Sequence, residues 1–410
     1  MILVERQIIR KSNENWKQID YMSFIAKNLY NQAIYFLKNH YQETGKHMRY
    51  FELDKYFRTN LPENYTILPN NSSQQLLKSI DINYRSFFKL MITWKKNKDI
   101  LNGCPKPPKY KDKIKGRCLI EFTKNQFNIK SGFLYLPRKT KINPIPTKIE
   151  KAQHVRIVPQ SNCYVLEIIY EKKNKELITD EIKDCLAIDL GVNNLCSIVS
   201  NKPGVKPLLI SGLPLKSMNQ FYNKKLASMK SQLMKNHKKH TSKKIQNFSL
   251  KHKLKVTNYL HHVSKKIVDY AIENKIDTIV IGLNKSWKQN INTGKVNNQK
   301  FVQIPFSKLI QQITYKAELC GIKVTTNEES YTSKVDHFAF EEMKHQENYL
   351  GKRVKRGLFR SSTDFILNAD TNGAIGILRK VIGDDFINLL DRGCIAQPLK
   401  VNPLRMSLAG

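Results

Sequence analysis

The chain has 410 residues, with 70 Lys and Arg against 34 Asp and Glu, a formal net charge of +36 and a hydrophobic share of 40%. That length allows two or three domains with cores of their own, and the balance of apolar and charged residues excludes wholesale disorder. No apolar run approaches the ~20 residues of a membrane helix, and Glu5 and Arg6 interrupt the place where a signal peptide would be apolar, so neither membrane insertion nor secretion is expected.

In chain order, residues 1–10 carry Ile2, Val4, Ile8 and Ile9 and read as a strand. From Trp16 to Tyr41 the apolar residues Ile19, Met22, Ile25, Leu29, Ala33 and Phe36 recur at helical spacing, and further helices are expected over 50–58 and 72–97. Pro105, Pro107 and Pro108 break the pattern and mark a junction. Residues 117–171 then read as strands around 118–122, 133–136, 154–158 and 164–170. This order predicts a small β-barrel, 1–12 and 113–182, with a helical lobe, 13–112, inserted into it.

Beyond 183 the pattern changes. Leu186-Ala-Ile-Asp-Leu-Gly, Leu195-Cys-Ser-Ile-Val-Ser and Pro207-Leu-Leu-Ile-Ser-Gly read as a meander of three strands. A long basic helical region, a helix over about 257–274, a buried strand at Thr278-Ile-Val-Ile-Gly, a helix over 305–320, a strand from Ile322 and a closing helix from about Thr371 to Val381 follow. Three hairpin strands, helix, strand, helix, strand and helix is the order of the RNase H fold, assigned to 183–382, with 383–410 as a C-terminal tail. The fold class expected is multidomain α+β. Seven cysteines, the closest pair eleven positions apart, form no Cys-x-x-Cys, which excludes a zinc ribbon and suits reduced thiols in the cytoplasm.

The positive charge is unevenly spread. Between Leu190 and Val268 there are sixteen Lys and no Asp or Glu. A solvated helix usually mixes signs to gain pairs four residues apart. Lys224, Lys225, Lys230, Lys235, Lys238, Lys239, Lys243 and Lys244 are therefore read as contacts to a nucleic-acid backbone, where each neutralised phosphate releases counterions. Lys352, Arg353, Lys355, Arg356 and Arg360 form a second basic cluster in a stretch read as a loop, assigned the same role.

RNase H-type nucleases place carboxylates on the central strand, a neighbouring strand end and the start of the last helix, holding two divalent cations about 4 Å apart. Asp189, followed by Gly191 where the backbone can turn away, suits the first position, and Asp370 the last. An Asp at a helix start also reads as an N-cap. Where the second carboxylate is expected stands Gly282, and Asn284 is a weak neutral substitute. The next strand ends in Glu328-Glu329, one strand spacing (~4.8 Å) away, so one of the pair can reach the vacated position. Alternation favours Glu328, which shares a face with Val324 and Thr326, and Glu329 stays open as the other candidate.

Ala187-Ile-Asp-Leu-Gly-Val-Asn-Asn, Ser330-Tyr-Thr-Ser-Lys and Asn368-Ala-Asp-Thr-Asn-Gly-Ala together resemble the RuvC-like nuclease of the TnpB family, encoded by bacterial insertion sequences and related to type V CRISPR effectors. Gly103-Cys-Pro-Lys-Pro-Pro-Lys-Tyr is similar to the family's segment between helical and β-barrel parts, so the resemblance spans nearly the whole chain. It implies an RNA-guided DNA endonuclease of a bacterial transposon that works as a monomeric ribonucleoprotein in the cytoplasm. The partners implied are a guide RNA from the transposon end and double-stranded target DNA, cut beside a short target-adjacent motif read by the N-terminal wedge and recognition lobe. By the resemblance Asp189 and Asp370 are the first and third catalytic acids; with the alternation argument added, Asp189, Glu328 and Asp370 are the expected Mg²⁺ ligands of a two-metal site, and Glu329 stays open as a catalytic acid. The chain departs from most members at Ile281-Gly-Leu-Asn and at Val335-Asp-His-Phe, where Glu and the first zinc cysteines are usual. It resembles a branch with Gly in the second motif, Glu-Glu before Ser-Tyr-Thr-Ser and no zinc site, where 330–367 replaces the zinc module as a loop. The alternative is a nuclease-dead, RNA-guided DNA-binding repressor.

Overall fold

The computed structural model describes residues 1–177, 182–284, 299, 301–355 and 357–404. The chain divides into two compact units, Ile2–Lys172 and Lys173–Gly410. Among the described residues no helix is long and apolar enough to cross a membrane.

In the first unit, β1 (Ile2–Ile9) leads into α1 (Trp16–Thr44), α2 (Tyr50–Asn60), α3 (Pro62–Ile67) and α4 (Asn70–Lys96). Gly45 ends α1 in the left-handed region at φ 68° and donates its N–H back to the Tyr41 carbonyl, a conformation that a Cβ disfavours. The strands β2 (Ile120–Thr123), β3 (Asn128–Lys130), β4 (Phe133–Tyr135), β5 (Ile145–Pro146), β6 (His154–Gln160) and β7 (Cys163–Glu171) follow. They form a sheet in the order β1-β7-β6-β2 and a smaller one, β3-β4-β5. β1 pairs antiparallel with β7 from Ile2↔Glu171 to Ile9↔Tyr164, so the helices are an excursion between two strands of one sheet. Ile19, Leu29, Ile34, Leu53, Phe57, Leu77 and Ile80 close the core that the helical spacing implies.

The second unit is built on β8 (Cys185–Leu190), β9 (Asn194–Ser200) and β10 (Leu208–Ser211), an antiparallel meander. α5 (Leu213–His237) and α6 (Lys243–Glu273) form a helical hairpin before β11 (Thr278–Gly282), α7 (Phe306–Leu319) and β12 (Lys323–Asn327). β11 runs parallel to both β8 and β12. Next come β13 (Lys352–Lys355), β14 (Leu358–Arg360), β15 (Ile366–Asn368), α8 (Ala369–Ile382), α9 (Arg392–Ala396) and β16 (Leu399–Val401). The main sheet has the order β12-β11-β8-β9-β10-β16.

Alternation along the strands divides this sheet into two packed faces. Leu186, Ile188, Ile279 and Ile281 face α6 and α7 and pack with Leu260, Val263, Ile267, Leu309 and Ile313. Cys185, Ala187 and Val280 face α8 and pack with Ala374, Ile375, Ile377 and Leu378. The same alternation puts Asp189 and Gly282 on the α8 face.

Two readings of the sequence need correction. Of the basic stretch read as a loop, Lys352–Lys355 and Leu358–Arg360 are strands: β13 pairs antiparallel with β14 and β14 with β15. Its strand Lys352–Lys355 is exposed at every residue, so no buried face marks it in the sequence. Phe359 on β14 is buried and supplies the apolar anchor. The tail after 382 contributes β16, which extends the main sheet in parallel with β10.

Candidate active site

Asp189 stands near the end of β8 on the face covered by α8. A Cβ on Gly373 of α8 would come within 2.7 Å of Asp189 Oδ2, so glycine at 373 lets the helix pass over this carboxylate without displacing it. Burial, then the negative charges of Glu329 and Asp370, push the Asp189 carboxyl up to about 8, against the opposing charge of Arg353. Asp189 thus feels both of the other acids, and Arg353 of β13, in the second basic cluster, acts on it as well.

Asp370 lies in the first turn of α8, but it is not the cap. Asn368 caps the helix, its side-chain oxygen accepting from the N–H groups of Asp370 and Thr371. Asp370 Oδ2 instead accepts a hydrogen bond of 2.8 Å from Asn194 Nδ2, at the start of β9. The helix-start carboxylate is therefore turned toward the sheet.

Of the glutamate pair, the structure brings Glu329 to Asp189 and leaves Glu328 exposed. The expectation favouring Glu328 extends strand alternation one residue too far. β12 ends at Asn327, whose carbonyl accepts from Leu283 N–H, and the chain then turns. Glu328 bonds with Ser330 Oγ at 2.6 Å. Glu329 is received by Asn284: its N–H donates to Asn284 Oδ1 at 3.1 Å, and Asn284 Nδ2 donates to its Oε1 at 3.4 Å. Glu329 Oε2 is buried without a hydrogen-bond partner. It occupies the space beside Gly282, where a Cβ would come within 2.7 Å of that oxygen and 2.4 Å of Ile377 Cδ1. Burial also raises the carboxyl pKa of Glu329, opposed by Lys380.

The Tyr-Thr-Ser motif forms the turn that delivers Glu329. Tyr331 takes a left-handed φ of 65°, and Thr332 Oγ1 donates to the Glu329 carbonyl at 2.9 Å. Behind it, His337 is fully buried and its pKa is lowered to about 4 by that burial. Arg379 donates to its Nδ1 at 3.1 Å, so Nε2 carries the proton and donates to the Thr332 carbonyl at 2.8 Å. Asp384 completes the chain with two bonds of 2.8 Å to Arg379.

Farther from the centre, Asp336 Oδ2 accepts from Ser361 Oγ and from Ser362 N–H and Oγ, while Glu341 accepts from the N–H groups of Asp336 and Leu350. These carboxylates tie 336–362 together. Asn284 was read in the sequence only as a weak substitute for the missing carboxylate, not as the residue that receives Glu329. Asn194, Gly373 and His337 lie within quoted motifs without being singled out, and Arg379 carries no local signal.

The donor set suits a hard divalent cation: carboxylate oxygens, one of them buried and unpartnered. As placed, no three His, Cys, Asp or Glu side chains among the described residues converge tightly enough to hold a metal ion. The predicted backbone contacts lie elsewhere in the same unit. Lys224, Lys225, Lys230 and Lys235 are on α5, Lys238 and Lys239 in the connection, and Lys243 and Lys244 at the start of α6, all exposed. Lys352, Arg353, Lys355 and Arg360 are exposed on β13 and β14, and Arg356 lies outside the described residues.

Residues 167–288 match the OrfB_IS605 family, described as a probable transposase, and residues 306–377 match the Cas12f1-like TNB domain. By these matches the chain is TnpB-like. No curated protein matches it. Among solved structures it is similar to a Cas12f1–sgRNA–target DNA complex, at 17% identity over 92% of this chain and 98% of that one, TM-score 0.37. It is also similar to the mini-RNA-guided endonuclease Cas_phi3, at 9% identity over 97% and 93%, TM-score 0.40. The C2c1 protein of Alicyclobacillus acidoterrestris with single-guide RNA aligns at 8% identity over 90% and 70%, TM-score 0.39. At these scores the likeness is loose.

Proposed function

We propose that this chain is an RNA-guided DNA endonuclease of a bacterial transposon, with an RNase H-like (RuvC-like) nuclease domain whose second acid has moved from β11 to the turn after β12. The observation that carries the reading is the meeting of Asp189, Glu329 and Asp370 on the α8 face, with Glu329 Oε2 buried and unpartnered in the space beside Gly282. Uncompensated carboxylates cost folding free energy, and a fold retains them where a cation or substrate completes them. The strand order, a meander extended by two parallel strands, supports the RNase H-like reading.

Mg²⁺, when bound, supplies Lewis acidity and charge neutralisation at both the attacking and the leaving oxygen of the scissile phosphodiester. The chain's own residues set the geometry. Asp189, Glu329 and Asp370 would hold the ions, and Asn284 and Asn194 orient the carboxylates of Glu329 and Asp370. Arg353 offsets part of the negative charge and meets the incoming phosphate. The exposed lysines of α5 and α6 hold the guide–target duplex by its backbone, while base pairing to the guide RNA supplies sequence selectivity. The N-terminal unit, a wedge with an inserted recognition lobe, reads the target-adjacent motif. The hydrogen-bonded carboxylates Asp336 and Glu341 take the structural place of zinc. The nuclease-dead repressor is favoured by one observation, that the acids as placed do not close around an ion.

One assay separates the two: cleavage of a plasmid library with a randomised flank by the protein co-expressed with its neighbouring transposon-end RNA, with Mg²⁺ or EDTA. Guide-dependent, EDTA-sensitive cutting that Asp189→Asn abolishes supports the nuclease. Guide-dependent binding without cutting supports the repressor, and absence of guide-dependent binding contradicts both.

A further inference from the structure

α5 leaves the sheet beside the acid centre. Gly212, its N-cap, donates its N–H to the Asn193 carbonyl at 2.6 Å, next to the Asn194 that bonds Asp370. A cavity of about 120 Å³ lies between the first turns of α5, Val192 of this loop, and Gln299, Gln303 and Ile304 ahead of α7. Roughly 13 Å from its start, at about 1.5 Å per residue, α5 carries Phe221. That side chain is 65% exposed.

Phe221 is held in place. Its ring meets Phe248 of α6 at 6.2 Å and 67°, Phe248 stacks on Tyr222, and Tyr222 stacks on His252 at 3.9 Å. The Tyr222 hydroxyl bonds Ser249 Oγ, locking the cluster. Along the face beyond Phe221, Lys224, Lys225, Ser228, Ser231, Gln232 and Lys235 are all exposed. A fixed aromatic plane thus stands among cations and hydroxyls on a helix with no acidic residue. This is the composition that binds a single strand, with cations along the backbone and a π face for a base.

We infer that Phe221 is a stacking platform for an unpaired base of the DNA strand entering the acid centre, with Lys224 and Lys225 on the flanking phosphates. The inference rests on the nuclease reading for its choice of strand. Phe221 stands on the helix that starts at the loop carrying Asn194, whose side chain bonds Asp370. Stacking is indifferent to base identity, so the platform selects for an open strand and not for sequence.

The test is equilibrium binding of the full-length protein to a labelled single-stranded oligodeoxynucleotide, the same sequence as duplex and the same sequence as RNA, in EDTA over a salt series. Phe221→Ala should weaken the single-stranded DNA complex by about 5- to 150-fold, the span of base–aromatic stacking, with the salt slope unchanged. Duplex binding should stay within about twofold, Phe221→Trp should restore affinity, and Phe221→Leu should not. Lys224→Gln or Lys225→Gln should lower the slope by about 0.7 each. Unchanged single-strand affinity, rescue by Leu equal to Trp, an equal loss on duplex or a loss confined to RNA would overturn the platform. Because EDTA suppresses cutting, a wild-type protein that never cleaves removes the nuclease reading without altering this binding result.

Discussion

The acid centre and the α5–α6 hairpin both crowd like charges, in opposite surroundings. In the centre, burial first and then the negative charges of Glu329 and Asp370 hold the Asp189 carboxyl up at about 8. On the hairpin the eight predicted lysine contacts are exposed, and water and salt screen them from one another. Like charge in low dielectric is a stability cost that a bound cation can reverse. Like charge in water costs little and acts at long range, on the rate and salt dependence of polyanion capture.

The sharpest way to break this contrast is to remove charge on each side. Asp189→Asn should lower cleavage by on the order of 10³-fold, the loss of several kcal/mol of transition-state stabilisation, while raising the melting temperature of the metal-free protein. Cleavage kinetics and a thermal melt in EDTA check both parts, and a lower melting temperature would deny that the carboxylate is strained. Gly282→Ala should destabilise by about 1–3 kcal/mol and cut activity with it, because the new Cβ meets Ile377 and the Glu329 carboxylate. Denaturant titration measures the first, and an unchanged midpoint would mean that the space beside Gly282 does not matter.

The pH dependence sharpens the comparison further. The folded chain holds the Asp189 proton up to about 8, whereas the unfolded chain releases it near the ordinary value of 3.8. Between those values the folded state binds more protons, so the stability of the metal-free protein should fall as pH rises through that window. Melts in EDTA from pH 4 to 8 should show the decline, and Asp189→Asn should flatten it. The smallest effect belongs to the hairpin: Lys238→Gln with Lys239→Gln should change stability by no more than about 0.5 kcal/mol. The same pair should reduce the salt slope of DNA binding, which filter binding over a salt series reads directly.

How much of this was legible in the sequence follows the same division between buried and exposed. The strands β8, β9, β10 and β11 are runs of buried apolar residues, and their order can be read from the chain. Asp189 is legible because it ends such a run. β13 is not, because Lys352–Lys355 buries no face, and the hairpin is held by Phe359 and by the bonds of Asp336 to Ser361 and Ser362. Glu329 is half legible. Gly282 announces the vacancy and the glutamate pair the replacement, but the choice between them turns on where β12 stops and on Asn284, beyond the end of β11, which receives the Glu329 N–H. His337 and Arg379 could not be found at all, since their pairing joins positions 42 apart with no periodic signal between them.

The relocated acid is the central claim, and a side-by-side comparison of Glu329→Gln and Glu328→Gln in guide-loaded protein tests it most directly. With Mg²⁺ present, plasmid cleavage by Glu329→Gln should fall on the order of 10³-fold while Glu328→Gln stays within about twofold of the parent. Loss of cleavage with Glu328→Gln alone, or parental activity in both variants, would contradict the account.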